Sequence, residues 1–246
     1  MRMPCAAAGA AAGATFLWYH GQSPTSQLYG ATISRVPGAG PRIALTYDDG
    51  PNPRVTPLLL AALERHGAKA TFFSVGRFAA REPALLRELA AGGHAVGNHT
   101  WSHPSLPRRR AGEVREELRR TRDAIEAAGV ELATVDGAAL MRPPYGRRRP
   151  GTLRTLRAAG YVPVLWSVTG WDWRPRETAA SIAARGERAR SGDIVLLHDG
   201  HHRKPAADRF RSLAATEAIL TTLGARGAEF VTVPALVAAG RAGGAA

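Results

Sequence analysis

The amino-acid sequence predicts an α/β fold of one domain, in which a parallel sheet is either open or rolled into a barrel. Short apolar runs of strand length alternate with amphipathic stretches of helical length between about residues 42 and 236. This alternation amounts to six or seven β/α units, and α/β barrels close to 246 residues long commonly form a single domain. The chain shows no internal repeat of about 20–50 residues, so a solenoid or a propeller is not favoured.

The expected elements follow one another closely along the chain. Mainly apolar runs predict strands at residues 43–47, 70–75, 95–98, 140–142, 162–168, 193–198 and 230–233. Amphipathic periodicity predicts helices at residues 56–66, 82–91, 111–128, 150–159, 177–190 and 209–226. Gly67, Gly92, Gly93 and Gly129 support three of the helix ends, because a left-handed residue commonly closes a helix.

Composition divides the chain into three parts. Residues 1–40 are rich in Ala, Gly, Ser and Pro and predict a leader segment, although their Ala- and Gly-dominated start matches an export signal poorly. The folded domain is expected at residues 41–237 and a flexible tail at residues 238–246. No run of about 18 apolar residues occurs, so we expect no transmembrane span.

The formal net charge of +13 is compatible with an anionic partner, such as nucleic acid, a membrane or an acidic cell-wall polymer. However, only Lys69 and Lys204 are lysines among 33 basic residues, and the abundant Arg, Ala and Gly are typical of a base-composition bias. No nucleic-acid-binding motif is present, so nucleic acid is not an expected partner.

Cys5 is the only cysteine, which excludes an internal disulfide and a metal site built from several thiolates.

Polar residues suited to catalysis follow the expected strands, where α/β barrels place their active sites. Asp48 and Asp49 end the first strand, and their side chains should diverge, so that one binds a cation while the other approaches a water. His99 and His103 follow the third strand, and two imidazoles four residues apart can share one ion. Together with Asp49 they predict a metal site that leaves positions open for water and substrate.

Two further segments carry candidate residues. Arg142 precedes two prolines and Tyr145, a rigid turn that could orient a carboxylate and expose a backbone N–H to an oxyanion. Asp172 lies among Trp166, Trp171 and Trp173, whose rings could stack on sugars or fill a core.

Histidines elsewhere in the chain receive different interpretations. His198 ends the strand at 193–198 near carboxylates and could be charged and donate a proton. His94 is interpreted as a core residue and His66 as a cation at a helix C-terminus. His201 and His202 are interpreted as part of a solvated loop.

Five segments, in the same order, resemble the polysaccharide deacetylases of the NodB-homology group, carbohydrate esterase family four. The resemblance spans about residues 42–236, and five segments in order at compatible spacing are far more specific than any one of them. It implies a distorted (β/α)₇ barrel and a hydrolase that removes acetyl groups from N-acetylated sugars or polysaccharides, such as chitin-like oligomers or peptidoglycan. The matching segments are Thr46-Tyr47-Asp48-Asp49-Gly50-Pro51, His99-Thr100-Trp101-Ser102-His103, Arg142-Pro143-Pro144-Tyr145-Gly146, Asp172-Trp173 and Leu196-Leu197-His198-Asp199.

The resemblance implies one divalent metal ion on Asp49, His99 and His103. Zinc suits these ligands, and Co²⁺, Ni²⁺ or Mn²⁺ could occupy the same site. An N-acetylated glycan is the implied partner, and this class of substrate indicates action outside the cytoplasm or at the cell envelope.

The resemblance also implies the catalytic and substrate-binding residues. Asp48 would be the general base and His198 the general acid, while the backbone N–H of Tyr145 would face the oxyanion. Two residues would tune these groups, Arg142 acting on Asp48 and Asp172 acting on His198. The implied substrate-binding residues are Leu197 and Trp173, at the acetyl methyl group, and Trp171.

The sequence departs from the family pattern at Thr169, where the family usually has an acid, and conservatively at Tyr47, where phenylalanine is commoner. The change at Thr169 leaves Asp172 in place but could alter the substrate site around Trp171. Two alternatives remain open: a metal-independent cyclic amide or imide hydrolase on the same barrel, and a non-catalytic glycan-binding module. The complete set of Asp49, His99 and His103 argues against the first, and the presence of both Asp48 and His198 argues against the second.

Overall fold

Strand β1, Arg42–Asp48, lies between two parallel neighbours, and six of its seven residues are buried. A strand covered on both faces needs apolar residues at successive positions, which explains the continuous apolar run in its sequence. Its neighbours are β2, Thr71–Ser74, and β8, Ile194–His198. The register with β8 sets Asp48 directly beside His198, so two candidate catalytic residues share one edge of the sheet.

The computed structural model describes residues 5–244 and contains a nine-stranded sheet. Its main path runs β4-β5-β3-β2-β1-β8-β7, while β6 pairs with β5 and β9 pairs with β1. All pairs are parallel except β4 with β5. The remaining strands are β3 (Ala95–Asn98), β4 (Thr134–Val135), β5 (Ala138–Met141), β6 (Tyr161–Pro163), β7 (Val168–Thr169) and β9 (Glu229–Phe230).

Helices follow the strands and cover the sheet, as expected for repeated β/α units. Their apolar faces pack on the strands, with Leu59, Leu89, Ile125 and Ile219 in the largest core cluster. The helices are α1 (Cys5–Gln22), α2 (Thr56–Arg65), α3 (Gly76–Ala79), α4 (Pro83–Ala91), α5 (Ala111–Ala127), α6 (Pro150–Ala158), α7 (Ala179–Gly186), α8 (Phe210–Ala225) and α9 (Val233–Gly244).

The segment 161–169 closes the sheet, although the sequence predicts one strand at 162–168. It forms two short strands, because β6 pairs with β5 at one side of the sheet and β7 pairs with β8 at the other. Between them Val164 bridges to Ile33, and the N–H of Leu165 donates to the carbonyl of Ile33. Eight of the nine strands thus pair in parallel, which confirms the predicted α/β class, and the segment 161–169 joins the two sides of the sheet as expected for a distorted barrel.

Both chain ends form helices that the sequence did not predict. Residues 5–22 form α1, and the guanidinium of Arg148 holds the chain after it through the carbonyls of Ser23 and Ser26. Residues 238–244, assigned to a flexible tail, continue α9, where Arg241 pairs with Asp136. The strand expected at 230–233 is observed as the shorter β9, Glu229–Phe230, because helix α9 already begins at Val233.

None of the helices in the described part of the chain is long and apolar enough to span a membrane. The division at residues 40 and 237 stays a prediction.

Candidate active site

Asp49, His99 and His103 come together at the carboxyl ends of β1 and β3. Oδ1 of Asp49 lies 3.4 Å from Nε2 of His103 and 3.7 Å from Nε2 of His99, and all three residues are buried. One potential ligand atom from each residue lies within 4.8 Å of the others. The structure therefore groups the three residues predicted to bind a metal.

This group fits a metal ion because a buried carboxylate oxygen faces two imidazole nitrogens without another partner. Oδ1 of Asp49 faces Nε2 of His99 and of His103 and has no hydrogen bond to any residue that the structure describes. Burying an unsatisfied carboxylate oxygen is costly, and a cation between the carboxylate and two imidazoles would compensate that cost. One carboxylate and two histidine nitrogens form a donor set typical of catalytic zinc.

Hydrogen bonds and nearby charges influence the protonation of these residues. Nδ1 of His99 lies 2.8 Å from the carbonyl oxygen of Arg142, so it donates its proton there and Nε2 faces the carboxylates with a lone pair. Burial would raise the pKa of Asp49, but the contact with His202 lowers it below the usual range. Burial and the neighbouring His99 lower the pKa of His103 to about 2. A neutral imidazole beside an ionised carboxylate suits metal binding.

Asp48 and Arg142 form a buried ion pair next to this group. Nη1 of Arg142 donates to Oδ1 of Asp48 over 2.7 Å, and Oδ2 of Asp48 faces Nε2 of His99 at 3.7 Å. Burial lowers the pKa of Arg142, an effect that the charge of Asp48 opposes. The predicted contact between the two residues is therefore present, and it leaves one carboxylate oxygen directed at the site.

His198 and Asp172 form a second charged pair across the cavity floor. Nδ1 of His198 lies 2.8 Å from Oδ1 of Asp172, whose Oδ2 accepts hydrogen bonds from the backbone N–H of His198 and the hydroxyl of Ser212. Burial would lower the pKa of His198, but the charge of Asp172 raises it above the ordinary value. The imidazole is thus held with Nδ1 on the carboxylate and Nε2 available for proton transfer.

Left-handed backbone conformations are concentrated at the site. Seven non-glycine residues in the described chain have positive φ; four of them belong to the motif segments and a fifth, Trp171, directly precedes Asp172. Such conformations cost free energy for residues with a Cβ and persist where the surroundings impose them, often at functional sites. These five residues are Asp49, Thr100, His103, Tyr145 and Trp171.

A cavity of about 380 Å³ opens over the two carboxylates and the histidines. Tyr145 and Trp173 are partly exposed at its wall, and the ring of Trp173 meets the ring of His198 at 5.3 Å. Gln22, at the end of α1, also lines it, so the segment predicted to be a leader contributes to the site. The other lining residues are Asp48, Asp49, His99, His103, Arg147, Trp166, Leu196, His198, His201, His202 and Arg209.

Two predicted substrate-binding residues lie outside this cavity. Successive side chains on a strand point to opposite faces, so β8 presents Leu196 and His198 to the cavity and Leu197 to the core between sheet and helices. Trp171 instead stacks on the guanidinium of Arg174, with 3.3 Å between Cζ and the ring centroid. Trp173 is therefore the one residue of the predicted set that lines the cavity in the described structure.

His202 is a site residue that the sequence analysis missed. It was interpreted as part of a solvated loop, but Nδ1 of His202 lies 3.6 Å from Oδ2 of Asp49 and its ring stacks on His103 at 4.3 Å. The only local signal was the neighbouring pair of histidines just after a motif strand. His94, by contrast, is buried as predicted, and its Nδ1 accepts a hydrogen bond from the N–H of Ala70.

Comparison with known proteins agrees with the motifs at this site. The family model described as polysaccharide deacetylase matches residues 35–164. A chitooligosaccharide deacetylase of Azorhizobium caulinodans is 36% identical over 198 residues, which cover 78% of this chain and 92% of that protein. The chain belongs to the polysaccharide deacetylase family.

One further relative and one solved structure are also similar to this polysaccharide deacetylase. A peptidoglycan-N-acetylglucosamine deacetylase of Bacillus cereus is 36% identical over 207 residues, covering 82% of this chain and 91% of the relative. The solved structure of a family 4 carbohydrate esterase from Streptomyces lividans, in complex with acetate, is 34% identical with a TM-score of 0.67. The match covers 77% of this chain and 91% of the esterase chain. The chain is thus an enzyme of this family, as the resemblance implied.

Proposed function

We propose that this polysaccharide deacetylase removes acetyl groups from N-acetylglucosamine residues of a glycan by metal-dependent hydrolysis. Its relatives include deacetylases of chitooligosaccharides and of peptidoglycan N-acetylglucosamine, two substrates that share this sugar. The peptidoglycan relatives also support action outside the cytoplasm, where that polymer is found.

Asp49, His99 and His103 are assigned as the ligands of one divalent metal ion. Three protein ligands leave positions open for substrate and water, which is typical of catalytic rather than structural zinc sites. Zinc suits this donor set best, and Co²⁺, Ni²⁺ and Mn²⁺ are compatible with it. When bound, such an ion supplies Lewis acidity to the acetamide carbonyl and makes water a stronger nucleophile.

Asp48 is assigned as the general base that takes a proton from the attacking water. Its Oδ1 is held by Arg142 at 2.7 Å, so its Oδ2 is the free acceptor facing the site. A base held in one orientation loses little entropy when the proton is transferred. Arg142 is completely buried and acts through Asp48, as a positioning residue.

His198 is assigned as the general acid that protonates the departing sugar amine. Asp172 holds Nδ1 and raises the pKa of the imidazole, so the proton on Nε2 is retained to a higher pH than it would be without this carboxylate. The adjacent strands β1 and β8 set this acid beside the base Asp48. Base and acid can therefore act on one bound acetamide group.

The remaining assignments concern the substrate. The backbone N–H of Tyr145, on the left-handed turn after Arg142, is assigned to stabilise the oxyanion that forms on the acetyl carbonyl. Leu196 and Trp173 line the cavity and are assigned to contact the acetyl methyl group and the sugar.

One observation carries this proposal: Asp48 and His198 line the same cavity as the predicted metal ligands, and each is held by a buried partner of opposite charge, Arg142 and Asp172. A non-catalytic glycan-binding module needs stacking aromatic residues but neither pair. Buried ion pairs of this kind stabilise a fold little, so their placement around an open cavity favours catalysis.

Acetate release from chitooligosaccharides and peptidoglycan tests the proposal. The purified protein should release acetate, lose this activity after chelation and regain it with added zinc or cobalt. The variant Asp48→Asn should keep the metal and release acetate at least 100-fold more slowly, because a general base typically contributes 10²–10⁴-fold. Unchanged activity of Asp48→Asn, or activity that survives complete chelation, would refute the proposed mechanism.

A further inference from the structure

We propose that His202 is a positioning residue for the metal ligand Asp49, holding one carboxylate oxygen so that the other faces the metal. The inference rests on the proposed metal-dependent function and adds a residue from outside the motif segments. His202 lies on the loop between β8 and α8, and its side chain is about one-fifth exposed.

The two oxygens of Asp49 have different surroundings. Oδ1 faces Nε2 of both His99 and His103 and has no hydrogen-bond partner in the described structure. Oδ2 faces Nδ1 of His202 at 3.6 Å, a distance that a shift of about 0.5 Å would shorten to a hydrogen bond. One oxygen is therefore directed at the other metal ligands, and the second is directed at His202.

The position of His202 is imposed by contacts on the loop backbone. The guanidinium of Arg77 donates a hydrogen bond to the carbonyl of His202 itself. Nε of Arg209 donates to the carbonyl of Gly200 over 2.6 Å. Nδ2 of Asn52 donates to the carbonyls of Asp199 and Ala207, at 2.8 and 2.9 Å, and so ties the two ends of the loop together. A loop held at both ends and at His202 has little freedom to leave the site.

Contacts of the ring favour the tautomer that suits Asp49. The imidazole stacks on the rings of His103 and His201, with centroid distances of 4.3 and 4.9 Å. Its Nε2 lies 3.5 Å from the hydroxyl of Tyr145, which can donate to it. The proton of a neutral ring then belongs on Nδ1, the atom that faces Asp49.

The geometry separates a positioning role from direct ligation. The close group of potential ligand atoms consists of Asp49, His99 and His103, and Nδ1 of His202 faces the opposite carboxylate oxygen. Residues that orient a metal ligand typically contribute 10–100-fold to metal affinity. Removing the Nδ1 donor should therefore weaken metal binding by that factor without removing a ligand.

Zinc affinity of the full-length protein tests the inference, with chelator competition as the readout. His202→Phe keeps an aromatic ring on His103 but has no donor, so its dissociation constant for Zn²⁺ should rise about 10–100-fold. His202→Asn keeps an N–H close to the position of Nδ1 and should recover most of the affinity. His201→Phe changes the neighbouring, stacked histidine in the same way and should leave the affinity unchanged. His202→Ala should show the same loss of Zn²⁺ affinity as His202→Phe, and it introduces no bulky side chain.

The outcomes separate the inference from the proposed function. Wild-type affinity in both His202→Phe and His202→Ala would overturn the positioning role. Equal weakening in His202→Phe, His202→Ala and His202→Asn would also overturn it, because Asn retains the donor, and would indicate direct ligation. A wild-type protein that binds no divalent metal would instead refute the proposed function, on which this inference depends. Circular dichroism establishes that each variant is folded.

Discussion

Nη1 of Arg142 lies 2.7 Å from Oδ1 of Asp48, inside the barrel, and both side chains are almost fully buried. The same guanidinium donates to the hydroxyl of Thr46 and to the carbonyl of Leu165, and it stacks over the ring of Phe73. The cation is therefore fixed on several sides, and it fixes the carboxylate in turn.

Arg142→Met should lower the free energy of unfolding by about 3–5 kcal/mol, because Asp48 would remain buried without its counter-charge. Adding Asp48→Asn should recover part of that loss, since the uncompensated charge is then removed. Urea unfolding of the metal-free proteins measures both effects.

Arg241→Met is the matched control for this pair. Arg241 also pairs with an aspartate, Asp136, but both side chains are more than half exposed. Water screens such a pair, so the urea midpoint should stay within error of the wild type. Similar losses from Arg142→Met and Arg241→Met would show that burial does not set the importance of the Asp48 pair.

Asp172→Asn should narrow the pH range of activity on its alkaline side. Activity that needs protonated His198 falls as the pH rises through the pKa of this residue, and the charge of Asp172 raises that pKa. Without the charge, burial lowers the pKa, so the alkaline fall in kcat/KM should move to lower pH. The profile is measured on metal-loaded enzyme.

Ser212→Ala is the control for the charge of Asp172. It removes the hydroxyl that donates to Oδ2 of Asp172 over 2.7 Å but keeps the carboxylate. Its alkaline limb should therefore move less than that of Asp172→Asn. If the alkaline fall in kcat/KM of Asp172→Asn occurs at the same pH as in the wild type, deprotonation of His198 is not the cause of that fall.

Asp199 should make the metal-free protein less stable as the pH rises from about 4 to 7. Burial raises the pKa of this carboxyl from 3.8 to about 7, so the folded state retains a proton that the unfolded state releases. The resulting stabilisation is complete below the unfolded pKa and is lost as the pH rises through the folded pKa. Asp199→Asn has no such proton, so its stability should fall less between pH 5 and pH 8. Urea unfolding at both values measures this, and equal falls would contradict the linkage.

Trp173→Ala should raise KM for chitooligosaccharides about 2- to 10-fold with little change in the stability of the fold. Its ring is 42% exposed at the cavity wall, and an aromatic contact of this kind contributes about 0.5–1.5 kcal/mol. Trp171→Ala is the matched control, because Trp171 stacks on Arg174 outside the cavity and should leave KM unchanged. A larger rise in KM from Trp171→Ala than from Trp173→Ala would show that the glycan contacts Trp171 rather than Trp173.

Sequence patterns predicted most of the barrel strands and most of the residues that the structure brings together at the candidate site. A buried parallel strand needs a continuous apolar run, so β1, β2, β3 and β8 were visible as such runs. Helix α1 was not, because its Ala- and Gly-rich sequence lacks an amphipathic period. The residues from 162 to 168 have one apolar run, and only the positions of β5, β8 and Ile33 divide it into two strands.

Strand patterns and motif order predicted the α/β class and the grouping of seven polar residues, because parallel strands bring their carboxyl ends to one edge; these residues are Asp48, Asp49, His99, His103, Arg142, Asp172 and His198. Which side of a strand faces the cavity depends on how the strands pack, and this packing places Leu196 there instead of Leu197. The fold also brings His202, a loop residue far from Asp49 in sequence, next to the Asp49 carboxylate. Contacts of this kind arise from how a loop is anchored across the barrel, which no local pattern of residues encodes.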